Sequence, residues 1–408
     1  MFAWYRELRP QDRSAFVAAF GGWALDAMDY MVYSFVVPTL IALWSIDRGR
    51  AGLLATVTLL VSALGGWVAG LLADRIGRVR VLQITILWFA VFTFANGFAS
   101  DYGALFVTRA LQGFGFGGEW AVGSVLMGEI VRSADRGKAV GTVQSGWAIG
   151  WGVASILYSA AFTVLPETLA WRALFWIGIA PALLVFYIRR FVPEPQLFKE
   201  TLRVRKEGAG LLAVFAPEVI KTTALAALLT TGAQGGYYAI TTWLPTFLRT
   251  VRNLTVLDTG GFLIFIIAGS FAGYLAGAYL ADRIGRRPNF GLFALGSGLV
   301  VLVYMTAPIT DAVMLALGFP LGFFASGIFS GMGAFLTELY PSEIRGSGQG
   351  FAYNFGRGIG TLFPTLVGYM SSTLSLGSAI GIFAGGAYAL VLLALAGLPE
   401  TKGKVLSA

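Results

Sequence analysis

Five charged residues interrupt stretches that are otherwise apolar. Asp26 and Asp29 lie in "GWALDAMDYMVYSFVVP", Arg109 and Glu119 in "RALQGFGFGGEW", and Arg357 in "FAYNFGRGIG". An ionisable group at membrane depth is costly and marks a functional site by default. The chain has no histidine and no cysteine, so carboxylates are the side chains there that can cycle a proton near neutral pH. A carboxyl is held neutral by burial and ionised by a neighbouring arginine. An acid whose arginine is drawn off by an incoming anion therefore changes its affinity for a proton. Asp26 and Asp29 stand three residues apart and share a helix face. Arg109 is ten residues from Glu119, about 15 Å by helical rise, which leaves Asp26 or Asp29 as its candidate partner. The expected proton-binding acids are Asp26, Asp29 and Glu119. The spacing leaves open which acid carries the proton and whether Asp26 or Glu119 is a fixed counter-ion.

Arg357 is the candidate anchor for a substrate carboxylate, because its planar fork matches that group with two parallel hydrogen bonds. Tyr353, Asn354 and Thr361 recur at helical spacing around it and predict a polar stripe along a cavity. Further polar and aromatic residues at such spacing extend the candidate substrate site. They are Gln144, Trp147 and Trp151; Gln234, Tyr237, Tyr238 and Thr241; and Tyr30 and Tyr33. An amphipathic ring can pack on a carbon skeleton and hydrogen-bond its substituents.

These residues need long apolar helices to hold them. Of 408 residues 57% are apolar and only 12% charged, where a soluble domain carries about 25% charged residues. Runs of about 20 apolar residues span a bilayer. Twelve such spans are expected, at 15–43, 51–73, 80–99, 103–131, 138–165, 171–190, 217–248, 259–281, 288–307, 311–338, 346–371 and 376–397. Of the 29 Lys and Arg, only Arg48, Arg50, Arg172, Arg249 and Arg252 fall in the odd-numbered loops, and Arg109 and Arg357 fall inside spans. The rest lie in the even loops and tails, which places both termini in the cytoplasm. That asymmetry absorbs the net charge of +8, so no nucleic-acid partner is implied. "MFAWYRELRPQDR" is charged and amphipathic and does not read as a cleavable signal.

The chain repeats itself. Leu-Ala-Asp-Arg-Ile-Gly-Arg occurs at 72–78 and again at 280–286, after spans 2 and 8. "GEIVRSADRGKAVG" after span 4 matches "TELYPSEIRGSGQG" after span 10, and "FVPEPQ" after span 6 echoes "GLPETK" after span 12. The expected plan is two six-helix units, 1–190 and 216–408, joined by a charged cytoplasmic linker at 191–215. Parallel repeats of this kind place the binding site between the halves near the bilayer midplane. The glycines of "GFGFGG" and "GFFASGIFSGMG" read as close-packing faces, scaffold rather than chemistry. Gly235–Gly236 is a candidate bend in span 7.

With its motif copies in that topology, "RALQGFGFGGEW" in span 4 and "PET" after span 12, the chain resembles the major facilitator superfamily. Span 1 and the Gly-Gly-Glu of span 4 are similar to the sialate:proton symporter group, which includes monocarboxylate permeases. The resemblance implies an all-α membrane protein, twelve helices in two bundles related by a pseudo-twofold axis. It implies proton-coupled symport of a small organic anion, such as a lactate- or pyruvate-like monocarboxylate or sialic acid. Aromatic or dicarboxylic acids, and an uncoupled facilitator or exporter, are the alternatives. It also implies a part in proton coupling for Arg109 of span 4, and a cytoplasmic lock at the motif turns. Asp74 and Asp282 would pair with Arg136 and Arg345, Glu129 and Glu338 would join them, and Arg75, Arg78, Arg283 and Arg286 lie in the same turns. The implied setting is the cytoplasmic (inner) membrane, as a monomer with no metal or cofactor. An enzyme is not expected: there is no His-Glu-x-x-His and no phosphate-cradling GxxxxGK[ST], and the loops are short.

Overall fold

A computed structural model describes residues 3–130, 136–192, 214–341 and 344–404, apart from some side chains near 70–78, 120–137 and 345–346. All regular structure among the described residues is helical, and the helices make twelve membrane-length passes. Spans 1 to 5 are Pro10–Trp44, Arg48–Ile76, Arg78–Asn96, Tyr102–Ile130 and Arg136–Val164. Span 6 comprises Glu167–Ile177 and Pro181–Phe191. Spans 7 to 9 are Ile220–Thr250, Val256–Ile284 and Arg286–Thr306. Span 10 comprises Asp311–Gly327 and Met332–Leu339, span 11 Arg345–Gly360 and Leu362–Met370, and span 12 is Leu376–Gly397. A short helix, Ala3–Glu7, precedes them.

The expected spans are recovered, with three differences of detail: spans 6, 10 and 11 are each interrupted. Pro181 starts a new helix in span 6, and its missing N–H makes it a natural first residue. Span 7 runs as one helix through Gly235–Gly236, without a break. Those glycines serve approach instead. A Cβ on Gly235 would lie 2.9 Å from the Phe363 ring, and one on Gly236 would lie 2.7 Å from the Tyr388 ring.

The two halves repeat one packing scheme. Span 2 lies on span 4 and span 8 on span 10; span 1 lies on span 5 and span 7 on span 11. Glycine makes the 2–4 and 8–10 contacts possible. A Cβ on Gly117 would fall 1.7 Å from the Ser62 carbonyl oxygen, and one on Gly269 would fall 1.9 Å from that of Phe319. Backbones this close gain dispersion contact that larger residues would prevent. Between the halves, span 5 packs on span 8, span 2 on span 11 and span 1 on span 7. Large apolar side chains such as Leu64, Ile156, Leu183, Phe186 and Leu299 point outward and are exposed, as a lipid-facing surface requires. The central helices are the polar ones. Nine described stretches are long and apolar enough to cross a membrane by length and composition. Ile220–Thr250 is not among them; its Gln234, Tyr237 and Tyr238 and most of its Thr residues are buried against neighbours and need no lipid solubility.

Candidate functional site

Spans 1, 4, 5, 7, 8, 10 and 11 converge on a central cluster. Its charged members are sealed from solvent: Asp26, Asp29 and Arg109 are 0% exposed, Arg357 1% and Glu119 4%. Asp26 faces Glu119 and lies within electrostatic reach of Asp29 and Arg357. Asp29 is turned deeper into the N-terminal bundle, toward Thr93 and Glu119. None of the aspartate oxygens makes a hydrogen bond of good geometry among the described residues. Glu119 occupies a notch cut by glycine, since a Cβ on Gly22 would stand 2.0 Å from its Oε1. Gly178, at the break in span 6, clears Asp29 similarly, its Cβ position being 3.0 Å from Oδ1.

Arg357 sits where the halves meet. Its Nε donates to Gln234 Oε1 and its Nη2 to the Tyr353 hydroxyl, each at a long 3.4 Å. Its guanidinium lies 5.5 Å from the centre of the Phe116 ring and 5.1 Å from that of Tyr353. Gln234 is held in turn by its amide donating to the Tyr353 carbonyl, 3.0 Å. The arginine is thus oriented by weak contacts and keeps donor capacity for a carboxylate. The expected polar stripe of span 11 divides. Tyr353 and Arg357 face the centre, whereas Asn354 Oδ1 approaches Gly66 of span 2 and the Thr361 carbonyl accepts from Thr56.

Arg109 has other company than the sequence suggested. Its Nε donates to the Leu54 carbonyl (3.1 Å) and its Nη1 to Gln112 Oε1 (3.3 Å), and the cation stacks 4.0 Å from the Tyr33 ring. Among the described residues these hydrogen bonds reach neither Asp26 nor Asp29. Asn96 and Thr93 complete the network through Gln112. Tyr33 belongs to this network, its hydroxyl donating to the Ala51 carbonyl.

An aromatic box surrounds the centre. Trp147 Nε1 donates to the Tyr237 hydroxyl across the two halves at 2.6 Å. Trp23 lies 4.9 Å from Trp147, and Tyr30 lies 5.8 Å from both Trp147 and Tyr238. Phe116 stacks with Tyr30 at 5.9 Å. Gln144 and Trp151 are buried one turn either side of Trp147. Sequence reading missed Trp23 and Phe116. Phe116 lies inside "GFGFGG", where the glycines do pack as scaffold; the helix turns its phenylalanine the other way, under Arg357.

At the end of the second half that carries the repeated motif, its residues assemble. Arg286 grips Glu338 with two hydrogen bonds, 2.8 and 3.1 Å, and Asp282 with a third, 2.6 Å. Asp282 pairs with Arg286, four residues on; the side chain of Arg345, its expected partner, lies outside the described residues. Arg283 contributes its carbonyl, which accepts from Lys402 Nζ. The C-terminal segment closes the cluster: Thr401 donates to Glu338, and Glu400 accepts backbone N–H bonds from Arg286 and Arg287. Glu400 was not singled out as a site residue, although the "PET" echo contained it. The side chains of Asp74, Arg75, Arg78, Glu129 and Arg136 lie outside the described residues, so the matching cluster of the first half is not described.

This duplicated twelve-pass architecture agrees with the comparisons. The family model described as Major Facilitator Superfamily matches residues 19–278 and 262–407. The chain is 44% identical over 406 residues to a probable 4-methylmuconolactone transporter of Cupriavidus pinatubonensis, covering 99% of this chain and 94% of that one. It is 30% identical over 375 residues to the cis,cis-muconate transport protein of Acinetobacter baylyi, covering 89% and 88%. It is 28% identical over 410 residues to the sialic acid transporter NanX of Escherichia coli, covering 99% and 98%. Among solved structures it superposes on the proton:xylose symporter XylE with a TM-score of 0.78 over 97% of both chains, at 19% identity; at that identity the likeness shows the fold. These relatives are transporters, not enzymes, and the chain is a multi-pass membrane protein that belongs to the Major Facilitator Superfamily.

Proposed function

We propose that the protein takes up a small unsaturated or aromatic organic acid together with a proton, by alternating access. The observation that carries this reading is Arg357, a permanent cation held by two long hydrogen bonds inside an aromatic box and beside Asp26. A planar acid can lay its face on Tyr30, Phe116, Trp147 and Tyr238 while its carboxylate takes the fork. A three-carbon acid would leave most of those rings without contact, so the walls favour the aromatic and unsaturated class over lactate and pyruvate. The names of the relatives, a methylmuconolactone and a muconate transporter, support the same class.

For coupling, Asp26 and Glu119 are the proton-binding pair. Ionising both would set two negative charges side by side out of water, which is costly unless a cation compensates. Arg357 is that cation until an anion draws it away, after which a proton replaces it. Asp29 and the Arg109–Gln112–Asn96 network support this pair from behind. Gln144 and Trp151 complete the substrate surroundings; Asp74, Arg75, Arg78, Glu129 and Arg136 form the lock of the first half, and Arg345 joins that of the second. The chain acts as a monomer in the cytoplasmic membrane with both termini inside. Its units are 1–190 and 216–408, and 191–215 links them.

Uptake into proteoliposomes tests the reading. An inside-alkaline pH gradient should drive accumulation of an aromatic or muconolactone-type acid. Arg357→Ala should reduce that uptake at least 100-fold, and Asp26→Asn should abolish accumulation while leaving exchange. Normal carboxylate uptake by Arg357→Ala would sink the proposal.

A further inference from the structure

The buried centre has a second polar pole that differs in kind from the first. Arg357 is held by Gln234 of span 7 and Tyr353 of span 11. Where span 5 packs on span 8, a row of hydroxyls runs between helices. Trp147 Nε1 donates to Tyr237 OH at 2.6 Å. Tyr274, on span 8, lies within reach of Tyr237, Tyr238, Tyr353 and Ser326, all of them neutral, and Ser326, on span 10, bonds Ser270 at 2.5 Å. Tyr274 is 3% exposed, and Ser270 and Ser326 are fully buried.

The placement is a product of glycine packing. Gly273 and Gly322 bring spans 8 and 10 into backbone contact; their Cβ positions would lie 2.1 Å from the Phe323 and 1.8 Å from the Ile266 carbonyl oxygens. This register sets Ser270 opposite Ser326 and puts Tyr274 one turn further along. Tyr237 and Tyr238, which touch each other with ring centres 5.9 Å apart, bridge the two poles. Tyr238 lies within electrostatic reach of both Arg357 and Tyr274.

We propose that Tyr274 and Ser326, with Tyr237, form a neutral recognition pole that selects monocarboxylates bearing an uncharged acceptor, a lactone or ketone carbonyl, at the end away from Arg357. This rests on the carboxylate site proposed above and names its specificity. A hydroxyl donates well to a neutral carbonyl. A second carboxylate buried there would meet hydroxyls but no cation, and a charge taken out of water without a counter-ion is heavily penalised. Sites built to hydrogen-bond a substrate group discriminate strongly against analogues that mismatch it.

The test is binding to the detergent-solubilised full-length protein, by calorimetry. Three ligands are compared: a carboxymethyl butenolide, its carbocyclic analogue lacking the ring carbonyl, and the ring-opened dicarboxylate. Wild type should bind the lactone acid about tenfold or more tightly than either of the others. Tyr274→Phe and Ser326→Ala should each weaken the lactone acid several-fold while leaving the carbocyclic analogue unchanged. Two results would overturn the inference: equal losses for lactone and analogue, the signature of a structural role, or no loss for either variant. If wild type binds the acids and Arg357→Ala does not, but the three ligands are not distinguished, the neutral pole fails and the carboxylate site stands. If wild type binds none of the three, both proposals fall.

Discussion

At the scale of single residues, space made by glycine decides where charge can sit. Glu119 reaches Asp26 because Gly22 presents no Cβ. Adding one methyl group there would collide with the carboxylate itself, since the Cβ would stand 2.0 Å from Oε1. We expect Gly22→Ala to swing Glu119 away and cut gradient-driven accumulation at least tenfold, with substrate exchange much less affected. The ratio of the two activities in one proteoliposome preparation checks it. An equal fall in both would assign Gly22 to packing alone. Arg357 invites a finer substitution. Arg357→Lys keeps the charge but loses the planar fork, so carboxylate affinity should fall about 10- to 100-fold while some pH-driven uptake survives.

At the scale of elements, two features hold helices in register. The first is carbonyl-to-glycine approach. On Gly117 a Cβ would lie 1.7 Å from a backbone oxygen of span 2, and backbone cannot yield as a side chain can. Gly117→Ala should therefore destabilise the protein by about 1–3 kcal/mol, the usual cost of overpacking, and lower its thermal midpoint in detergent. The second is the C-terminal segment. Burial works to raise the Glu400 carboxyl, but backbone N–H groups of Arg286, Arg287, Lys402 and Thr401 outweigh it and hold Glu400 below its ordinary range. A depressed carboxyl contributes stability above its unfolded value, near about 4.3, and loses it as pH falls through the lower folded value. The tail should stay docked at neutral pH and loosen only in strong acid. Glu400→Gln removes the charge at every pH, so trypsin should cut more readily at Lys402 and Lys404, and mass spectrometry would record it.

At the scale of the whole molecule, the proposed alternating access needs the halves to rock about the central site, and their ends away from the motif turns are tied together. Thr56 of span 2 hydrogen-bonds Thr365 of span 11, with the two hydroxyl oxygens 2.7 Å apart. Gly52 lies against Pro364, and Arg249 of span 7 pairs with Glu167 at 3.5 Å. These ties describe a state closed on that side. The chain contains no cysteine, so a cross-link can be placed without background. Thr56→Cys combined with Thr365→Cys should form a disulfide under oxidation, stop uptake, and regain it on reduction. Unimpaired uptake by the fully cross-linked protein would mean that spans 2 and 11 need not separate.

The sequence by itself determined the class of molecule, its duplication, its span count and the short list of buried charges. Hydrocarbon excludes charge and unpaired backbone so strongly that each of these leaves a local mark: an apolar run, a lone Asp, a repeated motif. What it left open was pairing. Asp26 and Asp29 share a helix face, yet only the assembled bundle turns one toward Arg357 and the other toward Thr93. Arg109 was expected beside an aspartate and lies instead over Tyr33. "GFGFGG" read as scaffold and also delivers Phe116 beneath the binding arginine, and "GFFASGIFSGMG" conceals Ser326. Which side chain meets which depends on how each helix is rotated, and on which helix of the other half lies opposite. Those quantities come from glycine notches and backbone approach summed over whole spans, contacts between residues hundreds of positions apart, and no local spacing in the chain encodes them.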